Sequence, residues 1–118
     1  MTPIEFRKSV HEVYKKALAA QSTWVSFSDS ANRIFQETSV FGSDGGRDFI
    51  ETNINEIYKT ITRAAQSKQQ NITISPHNFG TKALEGAASA LKELTDMQVE
   101  LNDKTINIIW AKNVIDLL

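Results

Sequence analysis

The side chains in this chain that could do acid–base or ligand chemistry are two histidines, fourteen carboxylates and thirteen basic groups, with no cysteine. His11 stands among Lys8, Glu12 and Lys15, off the apolar positions around it, which is the setting of a solvated histidine. His77 follows Pro76 in a stretch that reads as extended, with no second ligand at metal spacing beside it. Neither pairs with a glutamate in a helix-spaced zinc motif. Without cysteine, disulfides, thiolate chemistry and thiolate zinc sites are excluded. A small enzyme using His77 with a carboxylate such as Glu56 is the least supported reading. No cofactor and no metal site is expected.

Gly42-Ser43-Asp44-Gly45-Gly46 ahead of a helical pattern invites a phosphate-loop reading. The loop lacks the terminal Lys-Ser or Lys-Thr and does not follow a strand, so the phosphate chemistry has neither its lysine nor its cradle. Asp44 and Asp48 already place negative charge at the helix start, and their spacing lacks the alternate-position oxygens of a calcium loop. A flexible turn is the expectation.

Glu93, Asp96, Glu100 and Asp103 follow one another at intervals of 3, 4 and 3, which on a helix makes one acidic stripe. A solvated face is the plain reading. The functional one is a docking surface for a basic partner, steered by the field of the stripe. Residues 1–20 carry a net +2 and the remainder −3, within a chain whose formal net charge is −1. No global basic field exists to hold a nucleic-acid backbone. Trp24 and Trp110 fall on apolar faces and read as core residues.

The elements that must position these groups read as helices. Phe6, Val10, Val13, Ala17, Ala20, Trp24, Phe27, Ala31 and Ile34 alternate at spacings of 4 and 3, a single seam of period 3.5 that asks for a partner helix. Thr2, Pro3 and Glu5 form a capping box with proline at the first helical position. The polar run from Gln21 to Asn32 is the weak zone, where the helix could bend. Gly42 is assigned as its C-terminal cap. Asp48 and Glu51 then cap a second helix whose seam is Ile50, Ile54, Ile57, Ile61 and Ala64.

Asn71 to Ser75 alternates polar and β-branched residues ahead of Pro76 and reads as extended. Gly80-Thr81 starts the last helix, with Leu84, Ala87, Leu91, Leu94, Leu101 and Ile108 near one face. Its small residues Ala83, Gly86, Ala87, Ala88 and Ala90 let a neighbouring backbone come close or accept a large side chain such as Trp24. Asn102-Asp103 is a second candidate break. Thr105 to Trp110 has strand propensity, but its one available partner is Ile72–Ile74, and helix is preferred. The segment 106–118 carries more large apolar residues than one helix face can hold. Trp110 is therefore expected to be buried, and the segment to be essential for folding or assembly.

The fold expected is a single all-α domain, an elongated bundle with helices at about 3–40, 48–68 and 81–118 and an extended connector at about 70–80. With 41% hydrophobic and 23% charged residues the chain is ordinary globular in composition. No membrane span and no signal peptide are read from it, and a cytoplasmic setting is expected. The leading functional expectation is a non-enzymatic protein-binding module, a small inhibitor or immunity-type protein docking on a basic protein through Glu93, Asp96, Glu100 and Asp103. The alternative is a structural subunit of a helical assembly, such as a secretion, phage or surface-filament component, built by packing of long helices between copies.

Overall fold

The computed structural model describes residues 1–19, 35–36 and 39–111. In chain order they form α1 (Pro3–Ala19), α2 (Ser43–Gln66), β1 (Asn71–Ile74), α3 (Thr81–Thr95), β2 (Gln98–Asn102) and β3 (Thr105–Ile109). The three strands make one antiparallel sheet in the order β1-β3-β2. The fold is therefore α+β, and the all-α coiled-coil bundle is corrected. The helix expected over 81–118 stops at Thr95, and a β-hairpin follows it. The physical reason is alternation: Val99 and Leu101, then Ile106 and Ile108, repeat at period 2, so each strand has one apolar side. The expected helix over 3–40 does not reach its end either, because Val40 lies in a β-bridge with Phe79. The seam positions Ala20, Trp24, Phe27, Ala31 and Ile34, the weak zone Gln21–Asn32, and residues 112–118 lie outside the described residues.

α1 begins as its sequence dictates. The Glu5 N–H donates to Thr2 Oγ1 at 3.1 Å, and that hydroxyl donates to Glu5 Oε1 at 3.0 Å. Phe6 and Val10 of its seam are buried within this chain, with Val13 packed against them and Tyr14 buried beside the seam. On α2 the predicted ridge is also in the core: Ile50, Ile57, Ile61 and Ala64 are buried and Ile54 packs against them.

The start of α2 differs from expectation. The helix begins at Ser43 rather than Asp48, and Gly42, at φ 76° and ψ 154°, is its N-cap rather than the C-cap of what precedes. Gly45 and Gly46 are helical, and the reason is the neighbour. A Cβ on Gly46 would stand 2.0 Å from the Ala83 carbonyl oxygen, and one on Gly86 would stand 2.1 Å from the Ser43 carbonyl oxygen. The first turns of α2 and α3 thus cross backbone to backbone, each helix giving up one side chain to the other. The small-residue face of α3 accepts a backbone, as one of its two readings held.

The helices cover one side of the sheet. Ile72, Ile74, Val99, Ile106 and Ile108 point into that core. Trp110 is buried, as expected, with Nε1–H donating to the Gln69 carbonyl at 2.8 Å. Phe35, Phe49 and Phe79 cluster with ring centroids 5.1–5.6 Å apart beside the Val40 bridge. Among the described residues no helix is long and apolar enough to cross a membrane.

Candidate functional site

The register of the sheet sets out its uncovered side in rows. Asn71, Ile109 and Gln98 share one row, Thr73, Asn107 and Glu100 the next, and Thr105 with Asn102 the third. Period-2 alternation puts all eight on the side away from the helices. Asn107 is central. Its Oδ1 accepts from Asn71 Nδ2 at 2.9 Å and from Thr73 Oγ1 at 3.4 Å. On the other flank Gln98 Nε2 donates to Glu100 Oε1 at 2.8 Å. Amides, hydroxyls and one carboxylate make this a hydrogen-bonding platform. Among the described residues it sets no nucleophile beside a base, and what it offers is hydrogen bonds.

The β2–β3 turn is two residues, Asp103 and Lys104, closed by Thr105 Oγ1 donating to the Asn102 carbonyl at 2.9 Å. Asp103 has φ 55°, the left-handed region that favours glycine and that aspartate tolerates better than most side chains. Its carboxylate therefore stands at the tip of the hairpin.

The four predicted carboxylates do not form one helical stripe, because α3 ends between the first two. Glu93 is on the last turn of α3 and accepts from the Arg47 guanidinium of α2. That pairing lowers the Glu93 carboxyl and raises Arg47 from their ordinary values, the direct hydrogen bond being the largest cause in each. Asp96 is the C-cap of α3, left-handed at φ 53°, with its carboxylate 3.2 Å from Arg7 of α1. Glu100 lies on β2 and Asp103 in the turn. Among the described residues neither has a basic group within ion-pair reach, apart from which Glu100 keeps the Gln98 amide. The structure thus divides the quartet into two carboxylates that clamp helices and two that face outward on the hairpin. Asn71, Thr73, Gln98 and Asn107 together form no motif in the sequence, though the alternation of Gln98-Val99-Glu100-Leu101-Asn102 carries the signal.

The other chemistry-bearing groups are scattered. His77 is exposed. His11 is half-buried on α1 against the Trp110 backbone, and its pKa lies below the usual histidine value. Burial is the main cause, the Trp110 hydrogen bond opposes it, and Arg7 and Lys15 add to it. No group of three or more potential metal ligands occurs among the described residues. A shallow groove of about 350 Å³ runs beside Phe41, lined by Val40, Gly45, Asp48, Phe49 and Thr52. A second, of about 310 Å³, lies over the α2–α3 crossing between Arg47, Asp44, Glu85 and Ser89. Its aspartate and glutamate oppose the anion that a helix start would otherwise attract. Comparison of the chain with protein-family models, with curated proteins and with solved structures returns no match.

Proposed function

We propose that this chain is a non-enzymatic protein-binding module, a small inhibitor of the immunity type, that docks on a basic protein through the hairpin side of its sheet. The observation that carries this is the division of the acidic quartet. Arg47 and Arg7 compensate Glu93 and Asp96, while Glu100 and Asp103 face outward with no cation among the described residues to answer them. A carboxylate left uncompensated on an exposed platform contributes to encounter and register with a basic surface more than to the fold. Asn107, Gln98 and Thr73 would supply the polar contacts around it. A reducing, cytoplasmic setting belongs to the same reading and is supported by the lack of cysteine. Phe6 and Val10 are buried by this chain itself, so that part of the α1 seam does not call for a second copy.

The test begins with cross-linking and mass spectrometry of the tagged protein in its native host, followed by purification of the partner so found. Cross-links should fall on β2, β3 and their turn. Association of that partner with the Glu100→Lys, Asp103→Lys double variant should be slower and less dependent on salt than with the unaltered chain. Unchanged association and unchanged salt dependence would overturn the reading.

A further inference from the structure

The two outer strands of the sheet differ in how their free edges are protected. Trp110 N–H donates to the Gln70 carbonyl at 3.1 Å, which fixes the phase of the ladder: even-numbered residues of β3 bond toward β1. Odd-numbered ones, Thr105, Asn107 and Ile109, then bond toward β2 at Asn102, Glu100 and Gln98. Val99 and Leu101 must turn their N–H and C=O groups outward, and no backbone partner meets them among the described residues. The edge of β1 is met just past its end, where the Ser75 carbonyl accepts from Gln36 Nε2 at 2.6 Å. β2 has no proline and no bulge, two of the devices that commonly keep an edge from pairing, and its one charged side chain is Glu100.

We propose that β2 pairs antiparallel with β2 of a second copy of this chain, about a two-fold axis through Val99, joining two three-stranded sheets into one of six. Charge chooses this register. An axis through Glu100 sets Glu100 directly against Glu100 of the other copy on the same side of the sheet, a repulsive pair. An axis through Leu101 sets Val99 against Asp103, which the turn holds at φ 55° and so out of a ladder. An axis through Val99 opposes Gln98 to Glu100 twice and Met97 to Leu101 twice. The Gln98 amide already gives one N–H to Glu100 of its own strand and has a second to give to the other copy. Leu101, 37% exposed on the helix-facing row, becomes covered. The Met97 N–H is engaged by Thr95 Oγ1 at 3.3 Å, so the crossing bonds are those donated by Val99 and Leu101 of each copy. So small a contact belongs with transient interfaces, under roughly 1,200 Å² in total. The dimer is reversible and forms at high protein concentration.

Two substitutions at one exposed position test the register. Gln98→Lys makes two ion pairs with Glu100 of the other copy, and Gln98→Glu makes two repulsive pairs. Sedimentation equilibrium from micromolar to millimolar protein should show the dimer tightened about two- to thirtyfold by the first and loosened by a similar factor by the second. Amide exchange at Val99 and Leu101 should slow as concentration rises. Circular dichroism confirms that both variants keep the fold. A monomeric mass throughout for the unaltered chain and for Gln98→Lys overturns the proposal. So does a dimer that ignores both changes or moves the same way with each. Gln98→Lys weakens docking of a basic partner while it strengthens self-pairing, so this inference and the proposed function fail separately.

Discussion

At the α2–α3 crossing a single methyl group has no room, since a Cβ on Gly46 or Gly86 would fall within about 2 Å of a carbonyl oxygen of the other helix. On the outer side of the sheet, Asn71, Thr73, Gln98 and Asn102 are exposed, and the hydrogen bonds there run between side chains of that same surface. The two regions are built from opposite materials. The crossing uses glycine and alanine, so its geometry is set by main chain and tolerates no addition. The sheet's outer side uses long polar side chains on a scaffold held from behind by Ile72, Ile74, Ile106 and Ile108. The first region is bound to the packing of the fold, and the second leaves its side chains open to solvent.

The largest effect is therefore expected where the smallest group is added. Gly86→Ala, or Gly46→Ala, should lower stability by about 3 kcal/mol, because the obstructing atom is backbone and the helices must separate. Urea unfolding followed by circular dichroism measures this. A midpoint that stays where it was would mean that the helices part at little cost, and the contrast between the two regions would collapse.

At the hairpin tip the sign reverses. Asp103 sits at φ 55° with no ion-pair partner among the described residues, so Asp103→Gly relieves a left-handed conformation and loses nothing in the fold. It should raise stability by about 0.5 kcal/mol. Asp96 has nearly the same φ but also meets Arg7, so Asp96→Gly should gain less than its counterpart. Equal gains at both positions would show that the Arg7 pair contributes nothing.

α1 packs against α2 and α3, and pH probes its seat. The His11 pKa is lowered in the folded state, chiefly by burial against the Trp110 end of the sheet. The unfolded chain then binds more protons at this position, so stability rises with pH across the window that ends near the unfolded value of about 6.5. It falls as pH drops through that window and levels off below the folded pKa. Thermal melts of the unaltered chain and of His11→Gln between pH 5 and 8 check this, and the variant should show the shallower slope.

The parts of the fold legible in sequence are those whose signals are local. The Thr2–Glu5 capping box, the Ile50–Ala64 ridge, the extended Asn71–Ile74 and the burial of Trp110 all rest on neighbouring residues. The hairpin was hidden because Leu94, Leu101 and Ile108 repeat every seven residues and continue a helical face, while Val99, Leu101, Ile106 and Ile108 also alternate. The stop between the two patterns is Asp96 and the turn is Asp103-Lys104, neither containing the glycine by which such places are read. Gly45 and Gly46 misled in the opposite direction. Glycine serves a loose turn and a tight crossing equally, and only the facing Ala83 and Gly86, some forty residues on, decide between them. The acidic quartet failed as a stripe for the same reason as the last helix, yet its members Glu100 and Asp103 remain the outward carboxylates of the site.

The smallest effect on stability is expected at Glu100, and it is the one that separates fold from function. Glu100→Lys replaces a side chain on the sheet's outer side whose one hydrogen bond among the described residues is with the amide of Gln98. Its row neighbours Asn107 and Thr73 keep their own bonds, and the core behind the strand belongs to Val99 and Ile108. The change in unfolding free energy should stay within about 0.5 kcal/mol. Association with a basic partner should nevertheless slow markedly, since the substitution reverses the charge of the platform's one carboxylate, on its outer strand. Measuring both quantities on one preparation decides what the outer side of the sheet is for. If Glu100→Lys unfolds the chain as readily as Gly86→Ala does, the outer side belongs to the stability of the fold, and no division between a region that folds and a region that binds can be maintained.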